Sequence, residues 1–127
     1  MKIVLCNAFS INMIQRDEEL ILFRKVDVET VKKILKNNDF ESAIGHESTA
    51  NFLSKLLGIK VKVNRVPIMI DDETILIVAQ VKQRLPEGKI LSEEELRKIP
   101  IEFWLVGTAN CSQFGGGYYE TAITKVL

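Results

Sequence analysis

The chain has 127 residues, enough for one domain with a real core and too few to suggest a second. Its 17 basic and 17 acidic residues cancel, so the protein as a whole is not an electrostatic glove for long duplex DNA, and any anionic ligand must be held by local geometry. Met1-Lys2-Ile3-Val4-Leu5-Cys6 begins like a signal peptide but turns polar at Asn7, and no later run is long enough to span a bilayer, so a cytoplasmic protein with no membrane partner is expected. Cys6 and Cys111 are far apart and show no metal-ligand spacing, which predicts reduced thiols. With one histidine and no cysteine cluster, a zinc site is disfavoured.

Residues 2–6 form a short apolar run with a β-branched pair, as in a strand buried on both faces. The following Asn7-Ala8-Phe9-Ser10-Ile11-Asn12-Met13 predicts a capped turn: Asn7, Ser10 and Asn12 supply local hydrogen bonds, and Phe9, Ile11 and Met13 anchor it to the core. Residues 20–26 read as a second strand. Asp27 then caps a helix whose one face carries Val28, Val31, Ile34 and Leu35, and Asn37-Asn38-Asp39 ends it.

Phe52, Leu53, Leu56 and Leu57 recur at helical spacing before a Gly58 stop, which predicts a helix over about 47–57 with His46 at its start. Helix starts leave backbone N–H groups unpaired and carry partial positive charge, and Gly45 has no side chain to keep a ligand's oxygens away. Ile44-Gly45-His46-Glu47-Ser48-Thr49 is therefore a candidate phosphate seat with an acid-base group beside it. The plainer alternative is an ordinary helix start, with Ser48 or Thr49 satisfying the first turn.

Ile59, Val61 and Val63 alternate with polar residues, predicting a half-buried extended segment that ends at Arg65. Residues 66–70 suit a strand only with Pro67 near its start or on an edge, and Asp71-Asp72-Glu73 would turn that strand into residues 74–81, giving a hairpin. Both faces of 74–81 are apolar, so this strand is expected to be central and to emerge at Gln80. A charged Pro- and Gly-containing loop follows, then a capping box, Ser92-Glu93-Glu94-Glu95, and a short helix to about Lys98. Residues 101–106 are the last clear strand. From Gly107 the chain reads as loop through Gly117, with a final strand or short helix over 118–127. The order of elements predicts an α+β (mixed α/β) single domain, a central mixed sheet flanked by helices.

The four phrases Asn7-Ala8-Phe9-Ser10-Ile11-Asn12-Met13, Ile44-Gly45-His46-Glu47-Ser48-Thr49, Asn64-Arg65-Val66 and Gln83-Arg84-Leu85-Pro86-Glu87-Gly88-Lys89 together resemble the viral type III anti-CRISPR ring nucleases. The resemblance spans roughly residues 2–106 in the same order; that family also has relatives in plasmids, integrative elements and CRISPR loci. It implies a homodimer that binds cyclic tetraadenylate across its two-fold axis and cuts it, without a metal or other cofactor, to linear diadenylate ending in 2′,3′-cyclic phosphate. His46 matches the family's catalytic histidine, the general acid for the departing 5′ oxygen. Arg84 and Glu87 match loop residues implicated in the reaction, Ser10 joins them as a catalytic candidate, and Asn7, Asn12, Arg65 and Gln80 match positions that line or support the site. Gly45, Ser48 and Thr49 belong to the substrate seat at the helix start. Residues 1–106 would be the ring nuclease domain, with 107–127 an extension packed on it.

Pro86 departs from the acidic residue common in relatives, and the tail after Gly107 is longer than usual. The chemistry fits the residue types: a 2′ oxygen attacks phosphorus in line with the departing 5′ oxygen, Arg84 and Arg65 can each present a fork of donors to phosphate oxygens, and one histidine cannot be both acid and base. Glu87 is left as either the base or an orienter of Arg84 or His46. The rival readings are a binding protein that sequesters the messenger without turnover, and a small dimeric DNA-binding regulator. Lys and Arg residues that do not cluster on one helix face count against the latter, and no stable complex with long nucleic acid is expected.

Overall fold

The computed structural model describes residues 1–86, 88 and 90–109. Its elements are β1 (Lys2–Cys6), a single 3-10 turn (Ile11–Met13), β2 (Ile21–Val26), α1 (Val28–Asn37), β3 (Glu41–Ser42), α2 (Glu47–Leu57), β4 (Thr74–Val81), α3 (Glu93–Lys98) and β5 (Ile101–Thr108). Local chemistry sets the helix ends. At α1, Asp27 Oδ1 accepts from the Thr30 N–H at 2.8 Å. At α3, Ser92 Oγ accepts from Glu95 N at 3.2 Å while Glu95 Oε1 accepts from Ser92 N at 3.3 Å, closing the capping box. Helix α2 ends because Gly58 takes φ 68° and ψ 28°, a left-handed conformation that costs a side-chain-bearing residue energy.

The five strands form one mixed sheet in the order β2-β5-β4-β1-β3. β1 is parallel to both β3 and β4, with Cys6 opposite Val78, and β5 is antiparallel to β4 and β2. Four strands therefore run one way and β5 alone runs back. The C-terminal ends of β1, β3 and β4 share one edge of the sheet.

Strand alternation divides the core. Leu5, Ile77, Ala79 and Phe103 face the helices and pack with Val31, Leu35, Phe52, Leu53, Leu57 and Leu96. Each large side chain buried there contributes roughly 1.5–3 kcal/mol relative to exposure. Val4, Cys6, Leu76, Val78 and Val106 face the other way, where no helix lies among the described residues; the segments around Phe9, Met13 and Ile68–Ile70 cover part of that face. Phe23 on β2 remains 48 % exposed, its ring edge-on to Phe9 at 5.2 Å between centroids.

The other expected strands, the helices and the central position of β4 are present, with five differences. Residues 66–70 make no strand: Ile70 forms one isolated bridge to Ile14, so there is no hairpin at Asp71-Asp72. Pro67 has no N–H to give a ladder, and both edges of β4 are already taken by β1 and β5. Alternation over 59–63 is only half kept, since Val61 is buried and Val63 is exposed, held by a single bridge to Ile44. β3 was not expected; two residues are too few to show a period. β5 continues through Gly107 and Thr108, beyond the expected end, because Ile21 and Leu22 of β2 pair with them. Among anchors of the first turn, Phe9 and Met13 pack inward but Ile11 is 76 % exposed. The expected strand or helix over 118–127, and Cys111, lie outside the described residues. Among the described residues no helix is long and apolar enough to cross a membrane.

Asp72 ties three segments together. It takes the Arg16 guanidinium at 2.9 and 3.2 Å and the hydroxyl of fully buried Thr108 at 2.6 Å. The hydrogen bonds from Arg16, then from Thr108, hold its carboxyl below the usual carboxylate range. A depressed folded-state pKa means stability that is present above the unfolded value, near pH 4, and lost as pH falls through the folded one. Asp72→Asn is expected to cost about 1 kcal/mol at pH 7, limited by solvent at the Arg16 end, and to flatten the loss of stability below about pH 4. Urea melts from pH 7 to pH 2.5 check both signs; a variant with the wild-type acid slope would refute the assignment.

Candidate functional site

Asn7 follows the last residue of β1, Gln80 sits near the end of β4, and the start of α2 lies beside them, because the parallel strands β1, β3 and β4 deliver their C-terminal ends to one edge. Ligands of open α/β sheets commonly bind at such an edge. A cavity of about 370 Å³ opens there, lined by Asn7, His46, Ser48, Thr49, Gln80, Gln83, Arg84 and Leu85, with Val81 at its base. Residues from three separate stretches of sequence thus meet at one point.

His46 is the N-cap of α2, with extended φ −123° and ψ 135°, and makes no side-chain capping bond. Its imidazole is exposed on the cavity wall rather than spent on the helix. The first-turn N–H groups have no side-chain acceptor at the cap, which leaves donors and partial positive charge for an anion, partly offset by Glu47. Thr49 is buried and Ser48 half-buried, so Ser48 is the more available hydroxyl.

Gly45 is not forced by its backbone, since it has no positive φ. Its role is space: a Cβ there would meet Arg65 Nε at 3.2 Å, so the Arg65 side chain lies directly across it. Arg65 is exposed and beside the histidine segment, but it does not line the cavity. It is positioned by Asn64, whose backbone N–H donates to the Ile44 carbonyl at 2.8 Å and whose side chain donates to the Ser42 carbonyl at 2.7 Å.

Ser10 and Asn12 are not in the cavity lining either. Ser10 Oγ accepts from the Asn12 N–H at 3.3 Å, capping the 3-10 turn. Glu87 lies outside the described residues. Cys6, next to Asn7, has its thiol pushed up to about 11 by burial, with a backbone hydrogen bond involving Ala8 pulling slightly the other way. At neutral pH it is a protonated core side chain and no nucleophile.

A second cavity, of about 710 Å³, adjoins the first through His46, Ser48 and Leu85. It continues down the exposed face of α2 past Glu47, Asn51 and Lys55, under Pro86, Gly88, Ile90 and Leu91. Sequence reasoning passed over Asn51 and Lys55. Their signal was present in the spacing of Glu47, Asn51 and Lys55, four apart and so on one stripe of the helix that starts at the histidine.

Residues 3–103 match the STIV B116-like family. The chain belongs to that family. It is 37% identical over 89 residues to uncharacterized protein 26 of Sulfolobus islandicus filamentous virus (isolate Iceland/Hveragerdi), covering 69% of this chain and 75% of the viral protein. It is likewise 37% identical over 84 residues to the uncharacterized protein YddF of Bacillus subtilis (strain 168), covering 65% of this chain and 78% of that one. The fold is similar to that of B116 of Sulfolobus turreted icosahedral virus, with a TM-score of 0.74 at 33% identity over 84% of this chain and 99% of that chain. Relatives of this chain therefore occur in archaeal viruses and in a bacterium.

Proposed function

We propose that this STIV B116-like protein is a metal-independent ring nuclease that cuts cyclic tetraadenylate to linear diadenylate and so switches off type III CRISPR signalling. The observation that carries the reading is the chain's only histidine, uncommitted at a helix N-terminus, sharing one cavity with Arg84, Asn7 and Gln80. Three of the four phrases that resemble ring nucleases each contribute residues to that cavity, and Arg65 of the remaining one lies against Gly45 beside it. In the reaction a ribose 2′ oxygen forms a bond to the adjacent phosphorus as the bond from phosphorus to the 5′ oxygen breaks. Protonated His46 gives its proton to that 5′ oxygen, and the 2′-hydroxyl proton leaves to a base. Arg84 and the first-turn N–H groups of α2 stabilise charge on the non-bridging oxygens. Products are a 2′,3′-cyclic phosphate and a 5′-hydroxyl.

The protein acts as a homodimer in this reading. The sheet face without helices supports it, presenting Phe9, Phe23 and Trp104, with Lys82 and Glu102 beside them, around a recess of about 430 Å³ that buried Val78 and Val106 also line. Gln80 lines both that recess and the histidine cavity, so a two-fold axis through this face brings two sites near one ring. Phe23→Glu is expected to yield a monomer by sedimentation and to lower ring affinity at least ten-fold, while the fold survives because the residue is already half-exposed; an intact dimer would place the interface elsewhere.

The activity itself is tested by incubating purified protein with labelled cyclic tetraadenylate in EDTA, with cyclic hexaadenylate and linear tetraadenylate as controls. Diadenylate with cyclic phosphate ends supports the enzyme. Tight binding without turnover would make the protein a sponge, and neither binding nor turnover would refute both.

A further inference from the structure

Cleavage uses the cavity at the end of the sheet, yet the larger cavity beside it extends down α2 beyond any group the reaction needs. Its far part has two kinds of wall. One is the helix stripe of Asn51 and Lys55; the other is apolar, from Pro86, Ile90 and Leu91, with Phe52 and Leu96 beneath. The apolar wall is fastened to the helix, because Lys55 Nζ donates to the Leu91 carbonyl at 3.1 Å. That bond ties the apolar wall to α2 and leaves two ammonium donors unspent. Ile90 is 84 % exposed, a large apolar side chain with its face turned to solvent.

The Asn51 side chain makes no hydrogen bond among the described residues and lines this channel. Asn51 and His46, the N-cap of the same helix, line one continuous cavity, so a nucleotide whose phosphate sits at the histidine can place its base along the asparagine. A flat heteroaromatic base with apolar faces and a polar edge matches a channel with an apolar wall and one amide. An amide that both donates and accepts is the complement of the adenine N7 and N6 pair.

We propose that this channel is an adenine pocket and that Asn51 is its specificity-determining residue, receiving the base of the nucleotide whose phosphate sits at His46. Asn51 donates to N7 and accepts from N6, while Pro86, Ile90 and Leu91 cover the base. The proposal rests on the ring nuclease reading and names the part of the substrate that the cavity beyond the histidine recognises.

The test uses full-length protein carrying His46→Ala, so that ligand stays uncut, with and without Asn51→Leu, a swap of similar size on an exposed helix face. Calorimetric affinities are measured for cyclic tetraadenylate and for the same ring built from 7-deazaadenine, which lacks N7. With Asn51 present the natural ring is expected to bind roughly ten-fold tighter than the deaza ring, and with Asn51→Leu the two should bind within about two-fold of each other. Equal affinities with Asn51 present, or a preference that survives Asn51→Leu, would overturn the adenine pocket while leaving the ring reading intact. Absence of binding by both proteins to both rings would overturn the ring reading and this proposal with it.

Discussion

Replacing His46 by alanine is expected to slow cleavage of cyclic tetraadenylate by roughly a hundred- to ten-thousand-fold, the usual worth of a positioned general acid. Affinity for the ring should change no more than a few-fold, since Arg84, Ser48 and the helix N–H groups remain in the cavity. Folding should be nearly untouched: His46 is exposed and its side chain caps nothing, so no core contact or capping bond is lost. This separation of effects distinguishes an acid from a structural residue. Single-turnover rates and equilibrium binding on the same preparations decide it. Wild-type rates in His46→Ala would remove the histidine from the mechanism, and matched loss of rate and affinity would make it a binding group.

Phe52→Ala should have the largest effect on stability, about 3–5 kcal/mol by urea unfolding. Phe52 is 2 % exposed, lies on α2, and packs in the cluster that joins the helices to β1, β4 and β5. Its removal leaves a cavity between helix and sheet that neighbours on three elements cannot all close. For a domain whose whole stability is of order 5–15 kcal/mol, this brings unfolding close to ambient conditions. Phe52 also forms the floor of the channel beside Asn51, so ring binding should weaken in any protein that remains folded. A loss below about 1.5 kcal/mol would mean that α2 does not hold the sheet as tightly as its burial indicates.

Much of this fold was legible because its signals are local. Asp27, Gly58 and the Ser92–Glu95 pair each act within a few residues, and the apolar stripes of α1 and α2 are set by helical period alone. What was not legible depended on who pairs with whom. The stretch 66–70 has strand-like composition, but β4 had already been claimed on both sides by strands distant in the chain. β3 exists only because β1 offers it an edge.

The candidate site follows the same division. Sequence marked His46, Asn7, Gln80 and Arg84 as polar residues at element ends, without a reason for them to meet; the parallel arrangement of β1 and β4 supplies it. Ser10 and Asn12 shared the motif but do not line the cavity, Ser10 Oγ accepting the Asn12 backbone N–H, and Asn51 lacked a motif although it stands on the wall of the larger cavity.

Lys2 pairs with Thr74, so the innermost parallel ladder joins stretches separated by more than half the chain, with α1, α2 and two other strands made in between. Closing a loop of that length spends chain entropy before any ladder bond is gained, which slows folding. As the chain leaves the ribosome, β1 is made well before β4 and waits with two apolar faces for a partner not yet synthesised. The cavity edge, where β1 and β4 end side by side, is thus completed only after the long-range ladder closes. A partly folded chain therefore lacks this cavity, and the ligand proposed for it would select molecules whose sheet is already whole.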